Sequence, residues 1–227
     1  MILSSLFKCF DHIIVFDIET TGLDPRSNEI IEAAMLRVVN TQGNPAIDDE
    51  FSLLIKLSSG NSLPGKITSL TGITEQELHE RGVQKIKACE RIVDTLCCLN
   101  PLIVAYNAQF DLSFLYHFLN TYGKAEILTK MKMLDAMTIY KDRKPYPHKL
   151  IDAAQAYSLS THDTHRAQDD AKLTYELLCE MWKEDDDLLQ YVNLFGYNPK
   201  YGVSGQKISS VRYLPQGYNN TKKLYER

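Results

Sequence analysis

The sequence has no long hydrophobic run, few cysteines and no excess of positive charge, and each absence excludes a class of protein. With 44% hydrophobic and 24% charged residues, the 227-residue chain has the composition of a globular protein with a sizeable core. Its first ten residues, MILSSLFKCF, lack the basic start, the apolar run and the cleavage site of a signal peptide. We therefore expect neither a signal peptide nor a membrane span.

The five cysteines do not predict a disulfide framework, because their number is odd and no pair has the C-x-x-C spacing of a metal site. Cys89 and Cys97 fall on the apolar face of a predicted helix over residues 84–98. We interpret both as core thiols of a protein in a reducing cytoplasm.

Net charge is −4, which argues against a bulk electrostatic hold on nucleic acid. The charge is uneven, because residues 196–227 carry six basic residues against one acid, net +5, and the remainder is −9. This tail is compatible with stacking on a single strand, or with docking on the rest of the chain or on a partner. A second basic segment, over 124–149, is compatible with phosphate binding or with a solvated face. The tail's tyrosines are Tyr197, Tyr201, Tyr213, Tyr218 and Tyr225.

The order of elements predicts an α/β fold. Strands are expected over 12–18, in a hairpin formed by EIIEAAMLRVV and DEFSLLIKL, and over 102–106 and 133–135. Helices are expected over 84–98, 111–121, from about 149, and over 166–182, so the strands form a mixed five-stranded sheet flanked by helices. The run KEDDD (183–187) is interpreted as a solvated break between a domain over 1–185 and a basic extension over 186–227.

Two carboxylates stand at the end of the most hydrophobic strand. Asp17 and Glu19 follow IIVF directly, and alternate side chains of a strand point to the same face. Like charges held side by side resist ionisation, so the pair predicts a positive charge between them.

Two further acids occupy predicted core positions. Asp111 lies where a buried strand gives way to a helix, and Asp170 shares a helix face with Ala167 and Thr174, whereas Asp169 is on the solvated side. Four inward acids predict hard divalent cations such as Mg²⁺ or Mn²⁺, and two ions roughly 4 Å apart can clamp a phosphodiester. His165, in the turn before the helix, is placed to take a proton from the attacking water.

The segments FDIETTGL, NAQFD and HRAQDDA, in this order and spacing, resemble the three motifs of the DEDDh 3′–5′ exonuclease superfamily, above all those of the DNA polymerase III epsilon-subunit type. The resemblance spans about residues 13–181. It implies an RNase H-like fold, with His165 as general base and Asp17 bridging two metal ions. The metal ligands that it implies are Asp17, Glu19, Asp111 and Asp170.

The same resemblance implies contacts to the terminal nucleotide. Thr20 and Leu23 follow the first two acids, and SLTGIT, which contains Thr71, is similar to a family segment that lines the nucleotide site. Asn107 and Phe110, in the second motif, complete the predicted substrate contacts.

These residues predict a metal-dependent 3′–5′ exonuclease that releases nucleoside monophosphates from DNA, in proofreading with a DNA polymerase or in stand-alone repair. RNA or short oligonucleotides are the alternative substrates, because no residue is recognised as a reader of the 2′-hydroxyl. A non-catalytic polymerase- or nucleic-acid-binding module is the other alternative. It would be expected to have lost an acid or the histidine, and all five positions are filled.

Three other acidic or histidine residues are candidates for a place at or near the site. Glu32, an acid in an apolar strand, fits either support of the site or a solvent-facing position equally well. His162 is interpreted as a surface loop residue, and Asp135 as a structural acid near the site.

Overall fold

The computed structural model describes residues 2–161, 165–218 and 222–227. A five-stranded sheet has the order β3–β2–β1–β4–β5, with β2 antiparallel to β1 and β3, and with β4 parallel to β1 and β5. The predicted mixed five-stranded sheet is confirmed. Its strands are β1 His12–Thr20, β2 Ile30–Thr41, β3 Asn44–Leu54, β4 Pro101–Ala105 and β5 Lys132–Asp135.

Helices cover both faces of this sheet. A side-chain cap begins α3, where the Thr74 hydroxyl accepts a hydrogen bond from the Glu77 amide at 3.1 Å. Over the described residues, no helix is both long and apolar enough to cross a membrane. The helices are α1 Ser4–Cys9, α2 Gly65–Thr71, α3 Glu75–Arg81, α4 Lys85–Leu96, α5 Ala108–Thr121, α6 Glu126–Thr129, α7 Ala136–Arg143, α8 Leu150–Ala156 and α9 Ala167–Glu184.

The side chains of β1 alternate between two cores. Ile14 and Phe16 join the core that includes α4 and α5, whereas Ile13 and Val15 join the core that includes α9. Because the period of a strand is two, Asp17 and Glu19 continue the second series and project on the α9 face.

The cysteines are all free. Cys89 is buried in the core, as predicted. Cys97 is exposed, so the interpretation of it as a core thiol is wrong. The reason is that α4 ends at Leu96, one residue earlier, and Cys97 has left helical geometry.

The basic C-terminal segment packs on the rest of the chain. After a short 3₁₀ helix over Leu188–Tyr191, β6 Leu194–Tyr197 pairs in parallel with β7 Arg212–Pro215. Phe195 is buried in the core on the α5 face, and the Gln109 side chain of α5 donates to the Gln206 carbonyl at 2.9 Å. The docking interpretation of this segment is therefore confirmed for contacts within the chain, whereas the boundary at residue 185 stays a prediction.

The run KEDDD is exposed over residues 183–186, as the sequence predicted, but its last residue, Asp187, is half-buried. Asp187 has a side chain only 11% exposed and is ion-paired with Arg143 and, at 2.6 Å, with Lys223. The Tyr225 hydroxyl also donates to it, at 2.9 Å. Both basic partners lie far from Asp187 in the sequence, so no local pattern revealed them.

Candidate active site

The site lies at the end of β1, where the strand loses its regular register. Glu19 pairs with Glu32 of β2, and the register shifts between Glu19 and Thr20. A bulge of this kind bends a strand and redirects its side chains. The parallel pairing of β1 with β4, in which Val15 faces Val104, places the end of β1 beside the start of α5.

Helix α9 brings a third carboxylate to the two acids of β1. Single carboxylate oxygens of Asp17, Glu19 and Asp170 all lie within 4.8 Å of one another, although 151 residues separate Glu19 from Asp170. This spacing is that of oxygen ligands around one cation, because Mg²⁺ and Ca²⁺ bind oxygens at about 2.0–2.6 Å.

Asp111 approaches from α5 and stands outside this group of three. Asn107, in the left-handed region at φ 63°, turns the chain out of β4 into α5. That turn places Asp111 in the first turn of the helix, buried at 3% exposure. The nearby backbone amides of Asp111 and Ile18 lower the pKa of its carboxyl, but less than burial raises it.

The four carboxylates share a site poor in positive charge. Burial, followed by the charges of Asp111, Asp170 and Glu19, raises the pKa of Asp17 well above its ordinary value. Burial is also the main reason that the pKa of Asp111 is raised well above its ordinary value. The largest charges acting on Asp17 are all carboxylates, so this residue lies in the field of the other three acids.

The pKa values of Glu19 and Asp170 are also raised. Burial and the charge of Asp170 raise the pKa of Glu19 to about 8. Burial raises the pKa of Asp170 to about 6, against the opposing charge of His165. Buried like charges without compensation destabilise a fold, so this donor set fits divalent cations.

His165 stands at the entrance to α9. Its Nδ1 lies 3.9 Å from Asp170 Oδ2, and its side chain is 55% exposed. It can therefore reach both the carboxylate group and solvent. The competing histidine of the sequence, His162, lies outside the described residues.

Glu32, which is buried, forms an ion pair with the half-buried Arg166. Arg166 Nη2 donates to Glu32 Oε1 at 2.9 Å, and the Ala167 amide, at the first turn of α9, donates to Glu32 Oε2 at 3.1 Å. Glu32 is fully buried, which decides between its two interpretations in favour of support for the site. Arg166 was missed by sequence reasoning, although a basic residue just before α9 was a visible partner for an acid in an apolar strand.

Asp135 has the structural role that was predicted. It is buried at the end of β5 and caps α7, since its carboxylate accepts the Met137 amide at 3.2 Å. It also accepts the Ala108 amide at the start of α5, at 3.1 Å. The second contact fixes the start of the helix that carries Asp111.

The predicted nucleotide contacts differ in their exposure to solvent. Leu23 is 84% exposed, in the turn after β1. Asn107 is exposed, and Phe110 is half-buried with its ring 5.0 Å from that of Phe114. Thr20 and Thr71 are buried, with their hydroxyls donating to backbone carbonyls.

Three of the seven basic residues over 124–149 form ion pairs with acids of the chain. Arg143 pairs with Asp187, Lys144 with Glu184 at 2.6 Å, and Lys130 with Glu126 at 2.7 Å. These contacts argue against phosphate binding by those three residues, and Arg143, whose side chain is 5% exposed, does not belong to a solvated face either.

A mixed sheet that presents one buried carboxylate, three half-buried carboxylates and a histidine at one edge defines a nuclease of the RNase H-like fold, whose family depends on divalent metal. The family model described as exonuclease, RNase_T, matches residues 14–178. The chain belongs to this exonuclease family, and so to the DEDDh exonuclease superfamily.

Two relatives match most of this chain but cover very different shares of their own length. The chain is 30% identical over 186 residues to the DNA polymerase III subunit epsilon of Treponema pallidum, covering 80% of this chain and 82% of the relative. It is 29% identical over 224 residues to the DNA polymerase III PolC-type of Clostridium perfringens. That match covers 95% of this chain but 14% of the relative, so the chain spans about a seventh of the PolC-type protein.

Solved structures share the fold. E. coli exonuclease I in complex with single-stranded DNA, in a zinc-bound form, superposes with a TM-score of 0.71 at 18% identity, covering 80% of this chain and 42% of that chain. A complex of the same enzyme with a dT13 oligonucleotide gives a TM-score of 0.71 at 17% identity, covering 80% and 43%. At this level of identity the likeness concerns the fold.

Proposed function

We propose that the protein hydrolyses the terminal phosphodiester at the 3′ end of DNA, releasing nucleoside monophosphates. The observation that carries this proposal is the group of three carboxylates within 4.8 Å of one another, with Asp111 buried beside Asp17. Shared family membership supports the 3′–5′ direction.

Asp17, Glu19, Asp111 and Asp170 would hold two Mg²⁺ or Mn²⁺ ions. Such ions, when bound, activate a water and stabilise the charge that develops on the phosphate. Asp17 is the candidate for a ligand shared by the two ions, because the charges of Asp111, Asp170 and Glu19 all act on its carboxylate.

His165 acts as general base. Its exposed ring takes the proton of the attacking water, and Asp170, 3.9 Å away, stabilises the imidazolium that results. Leu23, Asn107 and Phe110 supply the exposed surfaces against which the terminal nucleotide is oriented, with Thr20 and Thr71 shaping the walls behind them.

DNA is the proposed substrate and a DNA polymerase the proposed partner. Two relatives carry names of DNA polymerase III proteins, and the superposed exonuclease I structures contain DNA. A stand-alone nuclease for DNA repair uses the same residues, so only a pull-down with a replicative polymerase separates the two.

The deciding experiment is digestion of 5′-labelled single-stranded DNA and RNA of the same sequence, with Mg²⁺, Mn²⁺ or EDTA. We expect a ladder that shortens from the 3′ end, requires metal and forms faster on DNA. A ladder that is faster on RNA would overturn the choice of substrate. No cleavage with either metal would overturn the proposed activity.

A further inference from the structure

The C-terminal segment shares the core on which α5 packs. Phe195, Ile208 and Val211 are buried in the same cluster as Leu112, the neighbour of Asp111 in α5. The segment therefore packs with the helix that carries one of the four acids, and the proposed activity leaves it without a role.

Gln109 ties the first turn of α5 to this segment. Its side-chain amide donates to the Ser204 carbonyl at 2.5 Å and to the Gln206 carbonyl at 2.9 Å. Both donors of the amide are thus used on one loop. Because Gln109 lies two residues before Asp111, this loop holds the turn of the helix to which Asp111 belongs.

The loop comes this close to α5 because residue 205 is glycine. Gly205 has a φ of 69°, in the left-handed region. A Cβ at this position would stand 2.1 Å from Oγ of Ser113, which is buried in α5 and donates to the Gln109 carbonyl at 2.7 Å. A side chain at residue 205 would therefore push the loop away from α5.

A second connection runs from β6 to the start of the same helix. The Gly196 amide donates to the Thr138 hydroxyl at 2.9 Å, and this hydroxyl donates to Asp135 at 2.6 Å. Asp135 in turn accepts the Ala108 amide at the start of α5. Thr138 and Asp135 are both buried, so these hydrogen bonds are shielded from solvent.

We infer that the C-terminal segment is a working part of the active site, because through Gln109 and Thr138 it positions the Asp111 carboxylate relative to the other three acids. The inference rests on the proposed function, since it gives Asp111 a share in holding the metal ions. Asp111 stands outside the group of Asp17, Glu19 and Asp170, so its place depends on α5. Displacement of α5 should weaken the ion that Asp111 helps to hold and spare the ion held by the other three.

Two glycines of the segment provide a matched pair of variants. Gly205→Ala strains a left-handed backbone and adds the clash with Ser113. Gly202→Ala introduces the same strain, at a φ of 72°, but its Cβ would meet nothing within 4 Å. Gln109→Met removes both hydrogen bonds to the loop at similar side-chain length, and Gln155→Met, at an exposed position of α8, is its control.

The first readout is turnover of a 5′-labelled single-stranded oligonucleotide. We expect Gly205→Ala and Gln109→Met each to lower kcat by about tenfold with KM unchanged, the lower range for loss of a residue that orients a metal ligand. Gly202→Ala and Gln155→Met should retain the kcat of the wild-type protein.

Metal binding gives a readout that requires no turnover. A titration with Mn²⁺, in which electron paramagnetic resonance measures the free ion, yields the number of bound ions and the Kd of each. Gly205→Ala and Gln109→Met should each raise the Kd of one ion by about tenfold and leave the other unchanged. Melting temperatures in EDTA show whether each variant is folded.

The outcomes separate the inference from the proposed function. If the wild-type protein binds Mn²⁺ but cleaves nothing, the proposed function fails, and the titration still decides whether the segment positions Asp111. If Gly205→Ala lowers the melting temperature but matches Gly202→Ala in kcat and in both Kd values, the segment only stabilises the fold and the inference is wrong.

Two further results would overturn the inference. Equal weakening of both ions would show a general loss of structure, and a wild-type protein that binds a single ion would leave Asp111 without one to hold. If the glycine variants do not fold, the comparison of Gln109→Met with Gln155→Met decides by the same two readouts.

Discussion

The Glu32 carboxylate of β2 joins the sheet to the start of α9, because it accepts Arg166 Nη2 at 2.9 Å and the Ala167 amide at 3.1 Å. Glu32 is also the strand partner of Glu19. One buried side chain therefore sets the position of α9, and with it His165 and Asp170, relative to the carboxylates of β1.

Replacement of Glu32 should reduce activity by displacing other residues. Glu32→Gln keeps the volume but removes the charge that Arg166 requires, and we expect kcat to fall about tenfold with little change in KM, because a misplaced catalytic group lowers the rate strongly. The pH profile of kcat should shift as well, since His165 loses its fixed position. A purely structural role would lower the melting temperature and leave the pH profile unchanged.

A double-mutant cycle isolates the contribution of the Glu32–Arg166 ion pair to stability. Glu32→Gln and Arg166→Gln, alone and together, should show coupling in the free energy of unfolding, as contacting residues do. Additive effects would mean that the pair does not hold α9 in solution.

Two adjacent aspartates offer a matched test of the ligand assignment. Asp170→Asn should abolish nearly all turnover while the protein stays folded, because it removes the negative charge of one of the three carboxylates whose oxygens lie within 4.8 Å of one another. Asp169→Asn removes the same charge one position away, on the predicted solvated side of α9, and should retain most activity. The same digestion assay measures both variants. More than about a tenth of wild-type activity in Asp170→Asn would contradict the ligand assignment, given the usual loss on removal of a catalytic group.

Local periodicity was enough to predict most of this site. The strand period of two placed Asp17 and Glu19 together, and the helix period placed Asp170 on the inward face and Asp169 away from it. These inferences succeed because each depends on one element and its neighbours in the sequence.

Contacts between distant elements could not be predicted in the same way. Glu32 and Arg166 are separated by 134 positions, and their meeting depends on how α9 crosses the sheet. The burial of Asp187 likewise depends on Lys223, 36 positions away, at the far end of a segment without periodicity. The composition of KEDDD suggested exposure to solvent, which is correct for residues 183–186, but ion pairs with distant residues override it at Asp187.

The metal-free protein should become less stable as pH rises. The pKa of Asp170 is raised to about 6 and that of Glu19 to about 8, so the folded state retains protons that the unfolded state has released. Stability in EDTA should therefore fall from about pH 4 toward pH 8. The melting temperature, measured across this range, reports the slope.

Divalent metal should remove this loss. Mn²⁺ binds the deprotonated carboxylates of the folded state, so it should raise the melting temperature more at about pH 8 than at about pH 6. Asp17→Asn, which removes the most central acid, should show a flatter pH dependence in EDTA and a smaller metal effect. A wild-type melting temperature that does not respond to Mn²⁺ would contradict the carboxylate group as a cation site.

The ion pairs of Asp187 predict that the C-terminal segment contributes to stability. Arg143 is 5% exposed and Lys223 comes from the end of the chain, so Asp187→Asn leaves a buried guanidinium without its main partner and loosens the segment. We expect the free energy of unfolding to fall by about 3 kcal/mol at neutral pH, the lower range for breaking a buried pair. Denaturant titration measures the change, and Asp94→Asn, an exposed acid of α4, is the control.

The pH dependence of that loss identifies its cause. Burial opposes ionisation of Asp187, but Lys223 and Arg143 outweigh it and hold the pKa of Asp187 below its ordinary value. The contribution of the pair is thus present above the ordinary carboxylate range, about pH 4, and is lost as pH falls through the lowered pKa. The difference between wild type and Asp187→Asn should therefore shrink in acid. A difference that stays constant down to the lowest pH at which the protein folds would assign the effect to packing, since packing does not titrate.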